Sequence, residues 1–171
     1  MPVTTISISA IGQDSHRFEP AGSQKPLILG GVVIPGALGL MGNSDADVIL
    51  HAVTNAVSGI SGVNILGKIS DDLCLNQGIT DSRVYLEKAI ETLVPNRWKI
   101  IHLSISVEAR KPHLSAHIPA IKRSVASLLS LPESCVGLTA TTGEGLTDFG
   151  RGEGVQVFVI ASAAKEVTVA T

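Results

Sequence analysis

Residues 43–62 read NSDADVILHAVTNAVSGISG, and the rest of the chain is organised around them. Leu50, Val53, Val57 and Ile60 recur at spacings of three and four, the pattern of a helix with one core-facing stripe. Ser44 ahead of them offers a side-chain oxygen suited to capping that helix. Asp45 and Asp47 would then lie in a first turn that favours negative charge. Gly59 and Gly62 mark its end. His51 sits about one residue's rotation, ~100°, from the Leu50/Val53 stripe, on the flank of the helix.

Upstream, Leu27–Leu29 and Val32–Ile34 flank Gly30-Gly31 as a hairpin, and Thr4–Ile11 alternates as a strand. Downstream, Thr80-Asp81 opens a second helix with Leu86, Ile90 and Leu93 facing inward and Pro95 as its stop. Ile100–Ala109 alternates again as a strand. Pro119 reads as the first residue of a third helix, whose apolar face is Ile121, Val125 and Leu128. Val136–Thr141 and Val155–Ala161 are two further strands around a Gly-rich turn. Strands alternate with helices, so the expected class is α/β or α+β, a sheet packed against helices. No repeat, linker or low-complexity tract divides the sequence, and residues 1–171 are expected to form one domain.

The chain is 44% hydrophobic but only 3% aromatic, so its core must be built from Val, Ile, Leu and Ala. Such a surface could be buried in part against further copies of the chain. Thirteen Lys and Arg against fifteen Asp and Glu leave a net charge of −2, without the basic patch of a nucleic-acid binder. Apolar runs are too short, and too often broken by Gly or charge, for a membrane helix. MPVTTISISAIG lacks the basic start of a signal peptide and reads as a strand. Cys74 and Cys135 form no metal-binding pair and are expected to be reduced thiols of a cytosolic protein.

The densest chemical signal is Asp14-Ser15-His16. On an extended segment, residues two apart project to one side, so this carboxylate and imidazole can converge. His51 is available as a third ligand, and Asp47, one turn before it, could orient its second ring nitrogen. An Asp/His/His set with an open fourth position suits a catalytic zinc. Spacing alone does not decide this, because Asp-x-His is common by chance and a helix histidine beside an apolar stripe is more often packed or solvated.

The order of segments adds to that reading. GQDSHRF, ILGGVVIP, NSDADVILHAV, GITDSR, KPHLSAHIP and TATTGEGLTDFGRGEG, in that sequence and spacing, resemble the 2-C-methyl-D-erythritol 2,4-cyclodiphosphate synthase family over nearly the whole chain. The resemblance implies a homotrimer with active sites between subunits, in a bacterial cytoplasm. It implies zinc, or another divalent transition metal, on Asp14, His16 and His51, and a second ion, Mg²⁺ or Mn²⁺, at Glu144. The implied substrate is 4-diphosphocytidyl-2-C-methyl-D-erythritol 2-phosphate, whose 2-phosphate attacks the β-phosphorus while CMP leaves. Thr142 matches the threonine credited with steadying the transition state, and Asn43 and Ser44 match the family's phosphate-side His-Ser. The cytidine pocket falls on Ala109–Ser115, which includes Pro112, His113, Leu114 and Ser115, and on Ala140, Thr141 and Thr142. Arg151 and Glu153 match residues lining a cavity on the three-fold axis where isoprenoid diphosphates bind, or else close a turn as a buried ion pair.

Several positions depart from the family pattern. Asn43 replaces a histidine, Asn55 an acid, and Ile65 the acid that grips the methylerythritol hydroxyls, leaving backbone groups of Leu66 and Gly67. His113 stands where a lysine contacts the diphosphate, and Ser70-Asp71-Asp72 replaces FPD with Asp72 as the sugar contact. Phosphate-binding charge is thinned while the metal set is intact, so an active enzyme with weaker substrate binding is expected. Two other readings keep the same residues: a catalytically degenerate isoprenoid-diphosphate-binding trimer, and a zinc-dependent phosphohydrolase acting on a related nucleotide. No cytidylyltransferase domain precedes the first strand, so a single activity is expected.

Overall fold

The computed structural model describes residues 2–169. Its centre is a four-stranded sheet in the order β1 (Val3–Arg17), β6 (Gly154–Thr168), β4 (Lys99–Glu108), β5 (Val136–Thr141). β1 and β6 run antiparallel over their full lengths, from Val3 opposite Thr168 to Arg17 opposite Gly154. β4 is antiparallel to β6 but parallel to β5, which makes the sheet mixed. β1 and β6 are both longer than their alternation suggests, because Gly12, Ser15 and the alanines of β6 carry no apolar signal. A separate hairpin joins β2 (Pro26–Leu29) to β3 (Val32–Leu38) through Gly30-Gly31, both with positive φ as a tight hairpin turn requires.

One face of the sheet is covered by helices. Leu103, Ile105 and Val107 of β4 and Val155, Val157, Val159, Ala161 and Ala163 of β6 alternate into a core they share with α1 (Val48–Ser61), α3 (Ser82–Glu91) and α4 (Ile118–Leu128). Leu50, Val53, Val57 and Ile60 are buried, as their spacing predicts. Two further helices, α2 (Lys68–Asp71) and α5 (Asp148–Arg151), are only four residues long.

Helix α1 starts later than expected. Ala46 adopts a left-handed φ of 55°, which breaks the backbone between Ser44 and the helix, and the cap is Asp47. The Asp47 carboxylate accepts N–H bonds from Leu50 at 3.0 Å, Gly30 at 2.8 Å and Gly31 at 2.6 Å, so it ties the hairpin turn to the helix. Gly59 lies within α1. Gly62 alone ends it, at φ 77° with its N–H bonded to the Ser58 carbonyl.

The seam between β1 and α1 is made of small residues. A Cβ on Gly12 would lie 2.1 Å from the Ala52 carbonyl oxygen, and one on Gly59 would meet the Ala10 side chain at 2.8 Å. This close approach brings the end of β1 against the first turns of α1. A Gly12→Ala variant must push strand and helix backbones apart, an overpacking cost of about 1–3 kcal/mol. Chemical denaturation should show a loss in that range together with weakened metal binding. Unchanged stability would mean that the seam yields freely.

Candidate active site

Asp14 and His16 leave β1 on the side facing α1, two residues apart as an extended strand dictates, and His51 meets them from α1. Asp14 Oδ2 lies 3.0 Å from His16 Nε2 and 3.0 Å from His51 Nδ1, and the two ring nitrogens are 3.2 Å apart. These three donor atoms form a compact cluster. The other nitrogen of each ring is also fixed. His16 Nδ1 is 2.8 Å from the Met41 carbonyl, which only accepts, so Nδ1 carries hydrogen and the neutral ring turns its Nε2 lone pair toward Asp14. His51 Nε2 is 2.8 Å from Ser82 Oγ. Asp47 does not orient His51, because both its oxygens are spent on backbone N–H groups, and the task falls to Ser82, with Asp45 behind it.

A carboxylate oxygen and two imidazole nitrogens at these separations repel one another unless a cation sits among them. Two nitrogens and one hard oxygen suit zinc or another divalent transition ion, so the residues fit the group that the spacing suggests. Without a metal, a proton takes that place. Burial alone would raise the Asp14 pKa, but hydrogen bonds and charge from His16 and His51 outweigh it and hold the carboxyl well below its usual range. Burial would lower His16, but its bond to Asp14 and that carboxylate's charge raise it above the ordinary 6.5. A metal must therefore displace the His16 proton. Its affinity should rise about tenfold per pH unit until pH passes the raised His16 pKa, then level off. The metal-free fold has the opposite trend at the alkaline end. The raised His16 pKa stabilises it below pH 6.5, and that contribution is lost as pH climbs through the folded value. A chelator-competition titration from pH 6 to 8 checks the first statement, and a flat profile would contradict it.

The metal set opens onto a cleft of about 140 Å³ lined also by Gly42, Asn43, Ser44, Leu66, Asp71, Cys74 and Tyr85. Asn43, Ser44 and Leu66 border the cleft beside His16 and His51. The start of α1 does not offer free N–H groups from Ser44, since that hydroxyl accepts from Ala46 and the helix begins at Val48. Ile65 is buried in the core with its carbonyl bonded to Ser70 N–H, and the Gly67 amide and carbonyl both close the same turn. Asp72 is exposed on a neighbouring open cleft, its carboxylate accepting from Asn76 and Gln77.

Thr142 and Glu144 line a second cleft of about 410 Å³ with Arg110, Lys111, His113 and Gly145. Glu144 is held at φ 49° between Gly143 and Gly145, a left-handed stretch that costs a non-glycine residue on the order of 1 kcal/mol. Pro112 and His113 also border an apolar groove with Phe18 and Leu38. Ala109 and Leu114 are buried behind the loop, while Ser115, Ala140 and Thr141 are exposed. Arg110 and Lys111 lie within the Ala109–Ser115 stretch, but only the fold shows that they line this cleft with Thr142 and Glu144. Arg151 and Glu153 do not form a buried pair with each other. Arg151 pairs with Asp148, and Glu153 with Arg17 at 2.6 Å.

The two clefts share no residue. Asp14, Val157, Val107 and Ala140 form one row across the sheet, with the metal set on edge strand β1 and Thr142 just past edge strand β5. Three inter-strand steps of about 4.8 Å separate those edges by roughly 14 Å.

The sequence profile of the YgbB family matches residues 8–164. The 2-C-methyl-D-erythritol 2,4-cyclodiphosphate synthase of Chlamydia caviae is 46% identical over 155 residues, covering 91% of this chain and 88% of its own. That of Chlamydia abortus is 48% identical over 150 residues, with 88% and 85% covered. Among solved structures, a 2C-methyl-D-erythritol-2,4-cyclodiphosphate synthase superposes with a TM-score of 0.81 at 31% identity, covering 91% of this chain and 99% of that one. A 2C-methyl-D-erythritol-2,4-cyclodiphosphate synthase in a CDP-bound form gives 0.74 at 29%, covering 91% of this chain and 99% of that one. The bifunctional IspDF of Campylobacter jejuni gives 0.84 at 30% over 94% of this chain, which spans 43% of that longer protein. With its Asp/His/His cluster in place and a family profile spanning nearly all of its sheet, the chain belongs to the YgbB family, that of the 2-C-methyl-D-erythritol 2,4-cyclodiphosphate synthases.

Proposed function

We propose that the chain acts as a homotrimer whose active sites join the metal cleft of one subunit to the Thr142/Glu144 cleft of the next. The separation of the two clefts on opposite edges of one sheet carries this reading. A neighbouring copy can close a gap of roughly 14 Å that the protomer cannot close itself. The uncovered sheet face offers a surface for that neighbour. Ile11, Phe158 and Ile160 stand exposed on it beside Ser9 and Ser162, an apolar band of the kind buried between subunits.

The reaction is the intramolecular closure of 4-diphosphocytidyl-2-C-methyl-D-erythritol 2-phosphate. An oxygen of the 2-phosphate forms a bond to the β-phosphorus, the bond from that phosphorus to the bridging oxygen breaks, and CMP departs with that oxygen. The nucleophile belongs to the substrate, so the protein's work is alignment and charge neutralisation. Asp14, His16 and His51 would hold zinc, and Glu144 a Mg²⁺ or Mn²⁺ ion, and bound cations there polarise and draw together the two phosphates. Asn43 and Ser44 supply uncharged donors on the metal side. Thr142 is placed to bond the reacting diphosphate from the other side. Ala109, Pro112, Leu114, Ser115, Ala140 and Thr141 shape the cytidine pocket. Leu66 and Asp72 form the sugar side, while the Ile65 carbonyl and the Gly67 backbone groups are engaged within their own turn.

Arg110 and Lys111 put two cations on the cleft where His113 replaces a lysine, which offsets the thinned phosphate charge. Among the described residues no helix is long and apolar enough to cross a membrane, and the charged metabolite fits a bacterial cytoplasmic setting. CMP release from that substrate with zinc and magnesium present, and phosphorus NMR of the second product, test the reading. A cyclic diphosphate is expected. CMP with an open-chain phosphate would instead indicate a phosphohydrolase.

A further inference from the structure

We propose that Asp45 and Ser82 form the positioning device of the metal centre, fixing His51 in the tautomer whose Nδ1 lone pair faces Asp14 and His16. The proposal deepens the metal-centre reading and rests on it for its consequence, but the tautomer follows from hydrogen-bond geometry alone.

Three groups converge on the Asp45 carboxylate, and all three are donors. The Asp47 N–H reaches Oδ1 at 3.1 Å, the Ser82 N–H reaches Oδ2 at 3.1 Å, and the Ser82 hydroxyl bonds Oδ1 at close range. A carboxylate facing only donors accepts on both oxygens, so the single Ser82 hydroxyl hydrogen is committed to Asp45. Toward His51, 2.8 Å away, Ser82 Oγ then has only a lone pair to offer. His51 Nε2 must donate to it, which leaves Nδ1 of the neutral ring without hydrogen, 3.0 Å from Asp14 Oδ2. His16 reaches the matching state by a different route, through the Met41 carbonyl.

Ser82 is fully buried, and it is the first residue of α3, capped by Asp81. Asp45 sits in the bend before α1, its own N–H bonded to the Thr80 carbonyl. The start of α3 and the entry to α1 are thus locked together behind His51, and ring orientation and tautomer are set before any metal arrives. Ser82 and Asp45 touch neither metal nor substrate, so they are positioning residues. Their expected effect is on metal affinity first and on turnover through it.

The test uses the full-length protein. Long-range ¹H–¹⁵N NMR of the metal-free wild type at pH 8 should show His51 as the Nε2–H tautomer, and Ser82→Ala should lose that pattern. Zinc competition against a chromogenic chelator should give the wild type a tight site and Ser82→Ala an affinity about 10- to 100-fold lower. Asp45→Asn, which cannot accept from all three donors, should move the same way by a smaller factor. A wild-type Nδ1–H tautomer would overturn the proposal, as would wild-type zinc affinity in Ser82→Ala. If the wild type binds no zinc, the metal-centre reading falls. The tautomer spectra of the metal-free wild type and of Asp45→Asn then still decide whether Asp45 and Ser82 control His51, even if Ser82→Ala fails to fold.

Discussion

An Asp14→Asn variant should lose at least about a thousandfold in CMP release and most of the protein's zinc affinity. The substitution keeps the shape of the side chain and removes only its charge. Asp14 Oδ2 is the atom on which the cluster converges, 3.0 Å from a nitrogen of each histidine, and it is the only anionic member. With a neutral amide there, the site becomes two imidazoles facing each other at 3.2 Å, with no negative charge to balance a divalent ion. Metal polarisation of phosphate contributes several kcal/mol to such a reaction. At 1.36 kcal/mol per factor of ten, a loss of about 4 kcal/mol is about a thousandfold. The readouts are chelator competition for zinc and CMP release at saturating substrate. A variant within tenfold of wild type in both would show that the cluster is not the centre of the chemistry.

The same residues show how far the sequence could be read. Asp14 and His16 were legible because strand geometry places residues two apart on one side, and β1 proves to be continuous through Arg17. The stripe of α1 was legible because its period is that of the helix. The start of α1 was not, since Ser44 and Asp47 both satisfy the rule for a cap. The choice falls to Asp47, whose carboxylate also reaches the Gly30 and Gly31 amides. Those two glycines come from a hairpin that no local window contains. For the same reason Asp47 looked like the partner of His51, one turn away, while the actual partner Ser82 lies 31 residues along. Short-range periodicity reports elements, and only tertiary closure reports which of two competent side chains is used. The motif resemblance implied a ligand set and a pocket over Ala109–Ser115, but only the fold shows that the loop after β4 brings Arg110 and Lys111 to Thr142.

Mixing two inactive variants should restore activity, and the amount recovered is set by counting. His51→Ala removes a metal ligand on the β1 side, and Glu144→Gln removes the carboxylate beyond β5. Each variant alone should form trimers with three defective sites. If every site takes its metal cleft from one subunit and its Glu144 cleft from the next, a site is intact only where a Glu144→Gln chain supplies the first and a His51→Ala chain the second. For random trimers from equal amounts, that happens at roughly one site in four, so about a quarter of wild-type CMP release should return. The chains must be unfolded and refolded together, or co-expressed, because preformed trimers need not exchange. If both clefts of a site belonged to one chain, no mixture could contain an intact site and the activity would stay at the level of the single variants. The sheet argues for recovery. Asp14 and Ala140 end the same row on opposite edges, and no side-chain motion spans the roughly 14 Å between those edges. Recovery near a quarter would place the active site between subunits, and absence of recovery in refolded, zinc-loaded trimers would return it to the single chain.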